Sequence, residues 1–194
     1  MFGLLYSSLH YPEAKEWRHR QIYQLLTDRF ASPDSKNCTN LQAYCGGTYQ
    51  ALVAHMDYIK NLGYNAIWIS PSVAQAEGNN YSYHGYWAAD YYSSNPNFGT
   101  EDDLKNMIKE AHKRDIWVMA DVVYNHVGNC GNPFNPDPLD YSCIKQFNKQ
   151  EYFHSPNCQI DYNTQQSVWD CRIAGLPDLN QSVPFVKDTL LAWA

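Results

Sequence analysis

The stretch Ile116-Trp117-Val118-Met119-Ala120-Asp121-Val122-Val123-Tyr124-Asn125-His126 decides how this chain is read. From 116 to 123 it is a nearly continuous apolar run, the length of a strand buried on both faces and too short for an ordinary helix. Polar groups follow at once: a carboxylate at Asp121, an amide at Asn125 and an imidazole at His126. Upstream, Leu104, Met107, Ile108 and Ala111 recur at helical spacing behind Thr100, which is placed to cap. Before them residues 65 to 70, with Ala66, Ile67, Trp68 and Ile69, read as a second buried strand ended by Pro71. Further back, Leu52, Val53, Met56, Ile59 and Leu62 predict one helix over residues 49 to 62, capped by Thr48 and stopped by Gly63. The first strand falls at 21 to 27, bounded by Asp28-Arg29 and the turn formers Ser32-Pro33-Asp34-Ser35. The order is β-α-β-α-β, which implies parallel strands with right-handed crossovers, in an open doubly wound sheet or a closed barrel. Dinucleotide binding is disfavoured, because the first strand ends Thr27-Asp28-Arg29-Phe30 and not in a glycine fingerprint.

Downstream the pattern changes. Residues 124 to 176 are rich in Pro, Asn, Cys and Tyr with little periodicity, too long for an ordinary loop, and read as a small disulfide-braced subdomain. A last helix is expected from Val183-Pro184 through Val186, Leu190 and Leu191.

Six cysteines fall into local pairs, Cys38 with Cys45, Cys130 with Cys143 and Cys158 with Cys171, and none forms CxxC. Disulfides in an oxidising compartment fit this pattern better than metal thiolates. Sequons at Asn37, Asn80 and Asn180 agree with secretion, although the first residues lack the form of a signal peptide. No run of eighteen apolar residues occurs, so no membrane span is expected. With a net charge of -6 and only 14 scattered Lys and Arg among 194 residues, nucleic acid is not an expected partner. Aromatic residues make up 15% of the chain, more than a core alone needs, so stacking on a ligand enters the reading.

Ligands of parallel α/β proteins bind at the C-terminal strand ends. Here those ends carry Asp28 and Arg29, the loop from 70 to 92, and the segment from Asp121 to His126. Asp121-Val122-Val123-Tyr124-Asn125-His126 resembles the first signature region of the alpha-amylase family of glycoside hydrolases. Ile22-Tyr23 with Leu26-Thr27-Asp28-Arg29-Phe30, Tyr44-Cys45-Gly46-Gly47-Thr48, Tyr83-His84-Gly85-Tyr86-Trp87 and Leu176-Pro177-Asp178-Leu179 also resemble the family, in its order. In particular the chain resembles the fungal-type secreted members.

The resemblance implies a partial (β/α)8 barrel. Residues 1–20 are a lead-in, 21–124 the first part of the barrel, 125–176 the inserted subdomain, and 177–194 the return to the barrel before its fourth strand. It implies an enzyme, a monomer acting on an α-glucan such as starch or glycogen by endo-hydrolysis of α-1,4 bonds with retention. Substrate contacts would come from Gln42, His84, Tyr86, Trp87, Asp121 and His126, with Tyr86 stacking under the sugar at the cleavage point. Asp121 would support the site without acting as nucleophile. A structural calcium ion would be held by Asn125, Asp178 and the backbone carbonyl of Trp169, in a site completed from elsewhere. The nucleophile and acid/base of the family would lie beyond Ala194, so residues 1–194 alone are expected to be inactive. Two departures stand out: Asn79 replaces an aromatic residue, with Tyr81 nearby, and Cys130 with Cys143 is additional to the pairs the family implies. A related α-glucosidase or glucanotransferase, or a non-catalytic sugar-binding protein, would share the same motifs.

Overall fold

The computed structural model describes residues 13–34, 38–76, 81–131, 138–154, 158 and 160–194. Its strands are β1 (Ile22–Leu25), β2 (Ala66–Ile69), β3 (Val73–Gln75), β4 (Ala88–Ser94) and β5 (Trp117–Ala120). Its α-helical segments are α1 (Thr27–Phe30), α2 (Tyr49–Ala54), α3 (Met56–Asn61), α4 (Glu101–Lys113), α5 (Gln165–Asp170) and α6 (Pro184–Trp193). β1, β2 and β5 form a parallel sheet in that order, with Ile22 beside Ala66 and Ala66 beside Trp117. Together with α2, α3 and α4 they make part of a (β/α)8 barrel. Leu25, Ile67 and Ile69 of the sheet pack with Leu52, Met56, Ile59, Met107 and Ala111 of the helices.

Local chemistry sets these boundaries. Thr48 Oγ1 accepts from Ala51 N at 3.1 Å, and Thr100 and Asp103 form a reciprocal capping box at the start of α4. Acidic Glu101, Asp102 and Asp103 open α4 and basic His112 and Lys113 close it, in keeping with its dipole. Gly63 ends α3 at φ +94°. The single helix expected from 49 to 62 is broken at His55. There the imidazole Nδ1 lies 2.9 Å from Ala51 O, the acceptor a continuous helix would give to the His55 N–H, and that N–H turns to Leu52 O. The third parallel strand is shorter than its apolar run, ending at Ala120, so Asp121 lies just past the strand and Asn125 in a bend.

The loop between Ser70 and Tyr92 contains an antiparallel hairpin, β3 with β4, which the sequence reading left as irregular chain. It carries a second core. Ala76, Ala88, Ala89 and Tyr91 pack against Val127, Ile144, Phe147, Tyr152, Phe153 and Leu179, and against Val186 and Leu190 of α6. Gly128 N donates to Ala88 O and Lys145 N to Ala89 O, each at 2.8 Å, which fastens the inserted segment to β4. A Cβ on Gly128 would sit 2.7 Å from both Ala76 Cβ and Trp87 O, so only glycine permits this approach. Disulfides join Cys130 to Cys143 and Cys158 to Cys171, with Cα atoms 5.6 and 4.9 Å apart, and Cys38 joins Cys45 near the end of β1. The insert leaves and returns at one point: Leu179 N donates to Asn125 O at 2.8 Å, Val127 N donates to Pro177 O at 3.1 Å, and His126 pairs antiparallel with Asp178. No helix among the described residues is long and apolar enough to cross a membrane.

Candidate active site

Trp68 on β2 stands in register with Met119 on β5, so Asp121, two residues further on, is within reach of its ring. Asp121 Oδ2 accepts from Trp68 Nε1 at 3.1 Å and from Tyr86 OH at 2.7 Å. Two donors on one oxygen fix the carboxylate at the sheet end. Burial and the bond to Asp121 push the Tyr86 hydroxyl up to about 12, so it stays a donor at neutral pH.

The turn carrying Tyr86 is shaped by Gly85, at φ +87°, where a Cβ would lie 2.6 Å from Pro71 O. Tyr86 N donates to His84 Nδ1 at 2.9 Å, leaving the His84 proton on Nε2. Burial, followed by the neighbouring His126 and Arg29, pushes His84 down to about 4. The His84 ring stacks beside Tyr86 at 5.7 Å and meets Trp87 edge-on at 4.9 Å. His126 Nε2 donates to Tyr86 O at 3.1 Å, and burial lowers its pKa. Both imidazoles are therefore neutral, each able to exchange hydrogen bonds with a hydroxyl without charging the site.

The structure brings His84, Tyr86, Trp87, Asp121 and His126 together. Trp87 is tied by its backbone, its N donating to Gln75 Oε1 at 2.7 Å. Gln42 sits on the exposed disulfide loop, held through the carbonyls on either side of it by Arg29, whose guanidinium covers the Tyr83 ring at 3.7 Å. Sequence reasoning missed Trp68 and Tyr91. Tyr91 OH, buried, donates to Val123 O and His126 O and so shapes the backbone that presents His126. Neither carried a signal: Trp68 sits in an apolar strand, where an aromatic residue reads as core, and Tyr91 falls in the stretch read as a loop.

Asn125 and Asp178 meet through the backbone bonds at the insert's two ends. Asp178 is 7% exposed, and burial raises its pKa, with His154 opposing. No hydrogen bond or ion pair holds its carboxylate oxygens among the described residues, and a buried carboxylate of this kind fits a hard cation. Trp169 lies on α5 and is 64% exposed, and no hydrogen bond joins it to Asn125 or Asp178. Among the described residues no group of three His, Cys, Asp or Glu side chains converges. Asn79 and the sequon residues Asn37 and Asn80 lie outside the described residues. Asn180 is half-buried, its Oδ1 accepting from Ser182 N.

Comparison with known proteins follows the same lines. The family profile described as "Alpha amylase, catalytic domain" matches residues 24–193. An alpha-amylase of Saccharomycopsis fibuligera is 42% identical over 191 residues, covering 93% of this chain and 38% of the relative. Alpha-amylase 3 of Schizosaccharomyces pombe is 47% identical over 170 residues, 80% of this chain and 29% of the relative. Among solved structures, an alpha-amylase from Malbranchea cinnamomea superposes with a TM-score of 0.84 at 42% identity, covering 92% of this chain and 39% of that one. The alpha-amylase of Geobacillus thermoleovorans, solved with acarbose, gives 0.75 at 40% identity, covering 91% of this chain and 37% of that one. The chain thus spans under two fifths of the length of these proteins. With five motifs in order, a partial barrel and a profile match over most of its residues, the chain belongs to the alpha-amylase catalytic-domain family of glycoside hydrolases.

Proposed function

We propose that residues 1–194 supply the glucan-binding side of a secreted alpha-amylase that hydrolyses internal α-1,4-glucosidic bonds of starch or glycogen with retention. One observation carries this: Asp121 at the end of β5 gathers Tyr86 and Trp68 on a single oxygen, and two neutral imidazoles, His84 and His126, lie against Tyr86. Such a surface offers an aromatic face for a pyranose ring and neutral donors and acceptors for its hydroxyls. Retention needs two carboxyl groups about 5–5.5 Å apart, one attacking the anomeric carbon and one protonating the leaving oxygen. In this reading those groups come from outside residues 1–194, and Asp121 orders the substrate side.

The test uses the full-length gene product and maltoheptaose. A mixture of shorter oligosaccharides of retained α configuration is expected. Glucose alone would indicate an exo-acting α-glucosidase, and cyclic or elongated products a glucanotransferase. Tyr86→Ala is expected to remove most activity, while residues 1–194 expressed alone release no sugar from starch. Cleavage by the isolated segment would overturn the division of labour.

Calcium belongs to the same proposal. Asn125, Asp178 and the backbone carbonyl of Trp169 would hold it, and its chemistry there is charge neutralisation and cross-linking of the insert to the barrel. At a concentration 100 times its dissociation constant it would stabilise the fold by about 2.7 kcal/mol. His126→Ala should lower activity and leave the calcium-dependent rise in melting temperature unchanged. The proposed organisation keeps 1–20 as lead-in, 21–124 and 177–194 as barrel, and 125–176 as insert.

A further inference from the structure

The loop that carries Gln42 is closed by the Cys38–Cys45 disulfide, but both cysteines belong to the loop, so the bond does not attach it to anything else. Attachment comes from the two residues after β1. Buried Asp28 accepts from Cys45 N at 2.8 Å and from Gly46 N at 3.1 Å, fastening the loop's return. Arg29 fastens its middle: Nη2 donates to Leu41 O at 2.9 Å and to Ala43 O at 2.7 Å, the two carbonyls that flank Gln42. Nη1 reaches Cys38 Sγ at 3.4 Å, and Nε lies 2.8 Å from Asp28 Oδ2. The guanidinium face lies over the ring of Tyr83, the residue before His84. A second tie between the same segments runs from Tyr44 OH to Ser82 Oγ at 3.2 Å.

We propose that Arg29 is the positioning residue of the cleft, fastening the Gln42 loop and the 83–87 turn to the end of β1 as one surface. The inference rests on the glucan-binding reading above. Arg29 touches no sugar. It acts by holding Gln42 and His84 at fixed relative positions, so a glucan that contacts both need not order either. A planar, five-donor fork that bonds two carbonyls and stacks on a ring is specific to arginine, because lysine supplies a point charge without the fork. Loss of the fork should therefore weaken substrate binding and leave the bond-breaking step untouched.

The experiment compares wild type, Arg29→Gln and Arg29→Lys in the full-length gene product. Amide exchange is followed without sugar, and KM and kcat are measured on maltoheptaose. Arg29→Gln is expected to speed exchange in residues 38–48 and 81–87 about tenfold, the size of losing charge-assisted bonds to backbone carbonyls. It should leave exchange in β2 and α4 unchanged, raise KM about tenfold and keep kcat within about twofold. Arg29→Lys, which keeps a cation beside Asp28, should show the same pattern, smaller. Unchanged exchange in both variants would overturn the proposal. So would faster exchange with an unchanged KM, a fall in kcat at constant KM, or loss of protection throughout the barrel in both. If wild type neither binds nor cleaves maltoheptaose, the glucan reading fails, and the sugar-free exchange still decides whether Arg29 fastens the two segments.

Discussion

β2 buries Ala66, Ile67 and Ile69 between neighbouring strands and helices drawn from regular repeats, whereas the described residues between 127 and 153 bury Val127, Ile144, Phe147, Tyr152 and Phe153 with one short 3-10 turn among them. In the barrel, backbone groups pair in ladders and the apolar side chains follow. In the insert, side chains pack on the β3–β4 hairpin and α6, and the backbone is satisfied piecemeal through bonds such as Lys145 N to Ala89 O. Two disulfides supply restraint that the missing ladders do not. Regular periodicity and covalent bracing are thus alternative routes to a fixed chain, used side by side.

The largest expected effect breaks the insert's core. Phe147→Ala, at a site with no exposure, should cost about 3–5 kcal/mol in denaturant unfolding. If the two cores are separable, exchange protection of Ala66–Ile69 will survive that substitution. Joint loss would show that the hairpin makes one cooperative unit of both. Replacing Cys158 and Cys171 together by serine should cost about 3 kcal/mol by the chain-entropy account, read from the same unfolding curves. On the barrel side Ile67→Val should cost only about 1 kcal/mol, since β2 keeps its ladder.

Protons sharpen the contrast further. His84 is held near 4 in the fold, against 6.5 for the free side chain, so between these values the unfolded chain takes up the proton first. Stability should fall as pH drops through that window, with no further loss from His84 below about 4. His84→Gln should flatten that part of the profile measured by thermal melting. Asp178 has the opposite sign. Burial raises its folded pKa, so its charge costs stability at neutral pH without a cation, and protonation on acidification recovers it. The smallest effect is accordingly a crossover: Asp178→Asn should melt slightly higher than wild type in chelator and lower in calcium.

Much of the barrel was legible because its signals are local. Thr48 and Thr100 cap where hydroxyls precede apolar periodicity, and Gly63 stops a helix through its left-handed backbone. The hairpin was not, because Ala88–Ser94 does not alternate and its pairing with β3 slips in register between Val73 and Gln75. The break at His55 depends on an imidazole reaching a carbonyl one turn back, which apolar spacing does not encode. In the candidate site, residues carried by recognisable motifs could be named from the sequence, and those acting from inside the core could not. Trp68 holds Asp121 by one hydrogen bond, and the Tyr91 hydroxyl holds the backbone carbonyls of Val123 and His126, all of them partners distant in sequence.

The short stitch between Asn125 O and Leu179 N has a consequence for how this protein can change. The departing and returning chains are held side by side, so the ends of the segment between them are already close, whatever its length. Lengthening a tethered loop adds only slowly to its closure cost. Changes of length should therefore be tolerated only in stretches of the insert that do not pack on β4 or α6, because Gly128, Ile144, Lys145 and Phe147 are fixed there by contact and not by the stitch.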